Sequence, residues 1–125
     1  MNIDNLTYGE LKNIASLFCN NSANQTNISD KMKGKKFIFR TYSAGVHYGE
    51  FVEREGSEVL IKDSRRLYYW KTKNNGISLS EVAKFGLHED SKVCTRVPNV
   101  ITPIEIIGMT DEAIESIEGF DDFVA

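Results

Sequence analysis

"KKFIFRTYSAGVHYGEFVER", residues 35–54, decides the fold. Apolar and polar residues alternate through it with a period of two, the repeat of a strand whose successive side chains point to opposite faces. Phe37, Phe39 and Thr41 share one face, and Ile38, Arg40 and Tyr42 the other. The small residues of "SAG" turn the chain, and "VHYGEFVER" returns antiparallel. Gly49, inside the returning strand, marks a bulge or a close approach by another segment. A second turn, "EGS", leads to a third strand, "EVLIKD"; "RRLYYWK" then makes a fourth, closed by the turn chemistry of "KNNG".

Helices flank this meander. "LTYGELKNIASLF" carries Thr7 as N-cap, Glu10 three residues on, Leu6 placed to staple onto Leu11, and an apolar stripe of Leu11, Ile14, Ala15 and Phe18. "NNSANQTNISD" after it is polar and aperiodic, which reads as a connector. "ISLSEVAKFG" repeats the helix-start device, with Ser78 as N-cap, Glu81 at the third position, Ile77 stapling to Val82, and Gly86 as the stop. "KVCTRV", "NVI" and "IEIIGM", broken by Pro98 and Pro103, supply one or two more strands at an edge or bulge. Thr110 caps a last helix that turns Ala113, Ile114 and Ile117 inward.

The expected class is α+β in a single domain, 1–125. It comprises an N-terminal helix (1–19), a polar connector (20–34), a curled antiparallel sheet of five or six strands with a short helix after strand four (35–109), and an acidic C-terminal helix and tail (110–125). A closed small barrel is the alternative.

Composition agrees with an ordinary soluble domain: 125 residues, 41% hydrophobic and 26% charged. No apolar run approaches the ~20 residues needed to cross a bilayer. "MNIDNLTYGE" lacks the basic start and apolar stretch of a secretory signal, so a cytoplasmic protein is expected. Cys19 and Cys94 then read as free, mostly buried thiols. The net charge of −3 conceals a segregation, with 14 basic against 8 acidic residues over 31–96, and seven acids and no base beyond Arg96. A basic middle suits an anionic partner, while an acidic tail repels nonspecific polyanions. A charge match within the chain or between subunits explains the same asymmetry.

Enzyme signatures are missing. The two histidines, His47 and His88, stand far apart and in no metal-ligand spacing, and the chain has no GxSxG elbow, P-loop or GxGxxG. Glu53, Glu55 and Glu58 flank a turn, where solvated charge is commoner than acid–base work. A non-enzymatic binder without metal or cofactor is therefore expected. Its surface is sought in "RRLYYWK", where alternation sends Arg65, Leu67 and Tyr69 one way and Arg66, Tyr68 and Trp70 the other. Guanidinium groups hold phosphate bidentately and aromatic rings stack on bases, the two needs of a nucleotide-like ligand. "YSAGVH" is the proposed partner, a loop whose backbone N–H groups approach a phosphate. The plainer readings stand beside these: aromatic core or subunit interface, a hairpin turn that needs small residues, a structural His47, and Phe85 packing inward.

"FRTYSAGVHYGEFVEREGSEVLIKDSRRLYYWK" followed by "SLSEVAKFG" resembles the first family of Thoeris anti-defence proteins of phages, over roughly residues 36–107. Ser64 stands where that pattern has Ala or Asn, and "LYYW" where it has "LWYW" or "IWYW". The resemblance implies a homo-oligomer, a dimer or an assembly of dimers, acting in the cytoplasm of the infected bacterium. It would sequester cyclic ADP-ribose isomers made by bacterial TIR enzymes without cleaving them, with cyclic di- or trinucleotides at additional sites. Within the matched motifs and their surroundings, the candidate ligand-binding residues are Arg40, Tyr42, Ser43, Ala44, Gly45, His47, Arg65, Arg66, Tyr68, Trp70, Phe85 and Arg96. The ligand is expected at or near a subunit interface. The alternatives are a single-stranded nucleic-acid module on the same surface, or a phage factor that binds and inhibits a host protein.

Overall fold

A computed structural model describes residues 28–124. The chain divides at Lys31/Met32, inside the stretch expected as connector, and the sheet belongs to the unit from Met32 onward. The helix expected over 6–18, and Cys19, lie outside the described residues. In chain order the elements are α1 (Ile28–Met32), β1 (Lys36–Thr41), β2 (Val46–Glu55), β3 (Glu58–Tyr69), α2 (Leu79–Phe85), β4 (Lys92–Val93), β5 (Val97–Ile101), β6 (Pro103–Gly108) and α3 (Asp111–Glu118). The protein is α+β with an antiparallel curled sheet, a short helix in its middle and a helix near its C-terminus.

The sheet runs β4-β3-β2-β1-β6, with β5 also paired to β3. One residue, Thr102, separates β5 from β6. Ile101 lies opposite Val59 of β3, and Pro103 opposite Thr41 of β1. A single bent ribbon thus pairs with both flanks, which requires the sheet to roll up toward a half-barrel. Pro103 opens its strand and Pro98 sits in edge strand β5, where a missing N–H is tolerated.

Rolling creates two cores. Inside the curl lie Phe39, Phe51, Val59, Ile61 and Ile101, with Phe37 set edge-on against both Phe39 and Phe51. On the other face Ile38, Tyr48 and Leu67 pack under Val82 and Ala83 of α2 and Ile117 of α3. The period-two alternation of β1 is what splits Phe39 from Ile38.

"EVLIKD" and "RRLYY" run through Ser64 as one strand of twelve residues where two strands were expected. Asp63, at φ +54, is an extra residue in it, and the β3–β5 register shifts between Ile61 and Ser64. This bulge keeps the faces consistent: Val59 and Ile61 before it, and Arg66 after it, all turn toward the inside of the curl. Gly49 meets both expectations placed on it. The β2–β3 register shifts between Tyr48 and Glu50, and a Cβ on Gly49 would stand 2.3 Å from Ile61 Cγ2.

The helix ends match the sequence in part. Thr110 caps α3, its hydroxyl accepting from Ala113 N at 3.1 Å and donating to the Lys84 carbonyl at 2.6 Å. Gly86 ends α2 at φ +98, a conformation that favours glycine. Ser78 takes the N-cap position of α2 with no side-chain bond, and Ile77 is 80% exposed, so the expected staple onto Val82 is not made. No helix among the described residues is long and apolar enough to cross a membrane.

Candidate ligand cleft

The turn between β1 and β2 is built by Thr41. Its hydroxyl donates to the Gly45 carbonyl and accepts from Ala44 N, both at 2.8 Å, while its own N–H reaches the Gly45 carbonyl at 3.2 Å. Gly45 completes the turn at φ +88, the left-handed region. Beyond the turn, His47 lies directly between Phe39 of β1 and Arg66 of β3 in register, so all three share the inner face. The Arg66 guanidinium folds over the turn, within 3.3 Å of where a Gly45 Cβ would be. It donates to the Ala44 carbonyl, and His47 Nε2 meets the same oxygen at 2.9 Å.

These groups line a cleft of about 460 Å³ at one mouth of the curl. Thr41, Tyr42, Ser43, Ala44, His47 and Arg66 form one side, and the β5–β6 ribbon forms the other through Asn99, Val100, Ile101, Thr102 and Ile104. The cleft offers a guanidinium for an anion, hydroxyl and amide groups for a sugar, and an almost fully exposed Tyr42 ring at its rim. His47 is buried, and burial first, then the Arg66 charge, pushes its pKa below the ordinary value despite the Ala44 bond that favours the proton. The imidazole is therefore neutral near pH 7.

The structure gathers Tyr42, Ser43, Ala44, Gly45, His47 and Arg66, half of the expected set, in this one place. Arg65 is a correction. It has no exposed surface and donates to the carbonyls of Cys94 (2.9 Å), Ile117 (2.8 Å) and Phe120 (2.9 Å) and to Asp122 Oδ1 (3.0 Å). It holds the end of α3 against β3, because odd positions after the Asp63 bulge face the helices. Arg96 joins that anchor through Glu118 Oε1 at 2.7 Å. Glu118 also accepts from the Tyr48 hydroxyl at 2.5 Å. Burial alone would raise the Glu118 pKa, yet the bonds from Tyr48 and Arg96 bring it below the usual carboxylate value.

The remaining candidates lie apart from the cleft. Arg40 pairs with Glu105 across β1 and β6 at 2.9 Å. Tyr68 stacks on Phe123 with centroids 5.1 Å apart. Trp70, just past the end of β3, packs against the helix-side core with Leu67. Tyr69, sent by alternation to the side of Arg65 and Leu67, is partly exposed under Lys71 and Lys92. Phe85 lies on α2 with Lys84 over its ring. Cys94 is a free thiol and partly buried.

Sequence reasoning missed Thr41 as the turn's organiser and Asn99 and Thr102 as the facing wall. Thr41 carried a local signal, a hydroxyl four residues before a turn glycine. The ribbon carried none, because its position depends on long-range pairing. A wider depression of about 790 Å³ beside α3 is lined by Glu89, Glu112, Glu115 and Asp121, with Lys73 and His88. Its negative lining is the wrong sign for a phosphate.

Fold and cleft together define a small α+β domain with a concave, cation-bearing pocket at a sheet mouth. The chain belongs to the family described as a domain of unknown function (DUF6948), whose model matches residues 34–117. No curated protein and no solved structure gives a significant match.

Proposed function

We propose that the protein binds and sequesters a small nucleotide-like signal, a cyclic ADP-ribose isomer, in the cleft between the 42–45 turn and the β5–β6 ribbon, without cleaving it. The observation that carries this reading is the convergence of Arg66 and the "YSAGVH" turn, distant in sequence, on one 460 Å³ concavity. A volume of that order suits a ligand of nucleotide size. Arg66 meets the diphosphate, Tyr42 offers a ring to the adenine, and Ser43, Asn99 and Thr102 face the riboses. The resemblance of residues 36–107 to the first Thoeris anti-defence family supports the choice of ligand. A phage sponge of this kind works in the cytoplasm of the infected bacterium and needs tight binding and slow release rather than a nucleophile. Homo-oligomerisation would enclose a cleft that one chain leaves open.

Titration calorimetry with a ribose-linked cyclic ADP-ribose isomer tests the reading. Saturable heat at micromolar protein, followed by recovery of unaltered ligand on heat release and chromatography, is the expected result. Folded protein that gives no heat rejects it, and recovery of a hydrolysed product replaces sequestration with catalysis.

A further inference from the structure

His47 is 96% buried, yet it contributes to the cleft wall. A carbonyl oxygen only accepts, so the contact at 2.9 Å to Ala44 fixes the imidazole proton on Nε2. Nδ1 is then a lone-pair acceptor, and it is closed off from solvent with no hydrogen-bond partner among the described residues. Buried polar atoms left unpaired are rare, and a binding role is one reason for them. Arg66 faces the ring from β3 and Phe39 from β1; Arg66 is the charged neighbour that perturbs it.

We propose that His47 Nδ1 accepts a hydrogen bond from a sugar hydroxyl of the bound ligand, which makes His47 a specificity-determining residue of the cleft. The inference rests on the ligand reading above. A phosphate at neutral pH has no proton to offer Nδ1, so the donor must come from another part of the ligand. His47 Nε2 and Arg66 Nη2 converge on one oxygen, that of Ala44, which places the guanidinium and the imidazole within the span of a single carbonyl. Nδ1 stands one ring width beyond Nε2, so a phosphate on Arg66 and a donor on Nδ1 are separated in the ligand by that ring and the carbonyl. A ribose hydroxyl a few bonds from its phosphate meets that spacing; the exocyclic amine of adenine, on the far side of the base, does not. Nδ1 is closed off in the free protein, so a ligand hydroxyl reaches it only with a local shift of the ring or of the atoms that cover it.

Long-range proton–nitrogen spectra of ¹⁵N-histidine protein, recorded free and with the ribose-linked cyclic ADP-ribose isomer, test this without a mutation. The free ring is expected as the neutral Nε2–H tautomer, with the Nδ1 signal moving toward a hydrogen-bonded acceptor on saturation. Saturation with Nδ1 unmoved, or a free ring protonated on Nδ1, overturns the inference and leaves the ligand reading standing. No binding at all overturns both. In parallel, His47→Phe is expected to weaken binding roughly tenfold or more, the usual consequence of deleting one buried acceptor; a folded variant with unchanged affinity overturns the inference.

Discussion

Arg65 and Arg66 are neighbours of identical chemistry, and the structure gives them opposite work. Replacing Arg65 with Met keeps most of the side-chain volume but removes donors from three carbonyls and the Asp122 carboxylate. The Ile117 carbonyl lies at the buried end of this set, and an unsatisfied buried acceptor costs about 1–3 kcal/mol. The other three acceptors are partly exposed and rehydrate, so each lost bond adds about 0.5–1.5 kcal/mol or less. Arg96, 3.9 Å from Asp122, leaves that carboxylate a partner. The total is about 3–5 kcal/mol. With a urea m value near ~1.5 kcal/mol/M, the unfolding midpoint falls by roughly 2–3 M. Arg66→Met, on the exposed rim of the cleft, is expected to change stability by no more than about 0.5 kcal/mol. Urea unfolding followed through the single tryptophan, Trp70, reads both variants. A loss below about 1 kcal/mol for Arg65→Met, or equal losses for the two, refutes the division of labour.

Other consequences are as concrete. Gly49→Ala places a methyl 2.3 Å from Ile61 Cγ2 and 3.1 Å from the Ser64 Cα, so it is expected to cost about 1–3 kcal/mol of unfolding free energy by calorimetry. Thr110→Ala removes the α3 cap and is expected to cost about 1 kcal/mol, checked by denaturant midpoint. Burial lowers the folded-state pKa of His47, so the unfolded chain binds this proton more readily. Its contribution is intact above the unfolded value near 6.5 and lost as pH falls from there toward the folded pKa. The melting temperature of wild type is therefore expected to fall relative to that of His47→Phe between pH 7 and pH 5, and a pH-independent difference would reject the neutral, buried imidazole.

The parts of this protein legible from sequence are those governed by short periods. Alternation from Phe37 to Tyr42 located β1 and assigned its faces, and the Thr110 cap and Gly86 stop located helix ends, because each depends on neighbours within a few residues. The division of "RRLYYWK" into two faces held for Arg65 and Leu67 against Arg66, then failed at Tyr69 and Trp70, where the strand ends and alternation no longer applies. What alternation could not supply was which face meets the helices. Asp63, one residue out of step, decides that Arg65 is an anchor and Arg66 a cleft residue. The wall formed by Asn99 and Thr102 was illegible for a related reason: β5 and β6 reach the cleft by pairing with opposite flanks of the sheet, a relation with no local signature.

A crystal structure with the ribose-linked cyclic ADP-ribose isomer tests most directly whether ligand occupies the cleft under the 42–45 turn. The expected result is ligand density between Arg66 and the Asn99–Thr102 wall, with the diphosphate on the guanidinium and a ribose hydroxyl on His47 Nδ1. Ligand seated instead on the Tyr68–Phe123 stack or in the acidic depression beside α3, with the cleft unchanged, would contradict it.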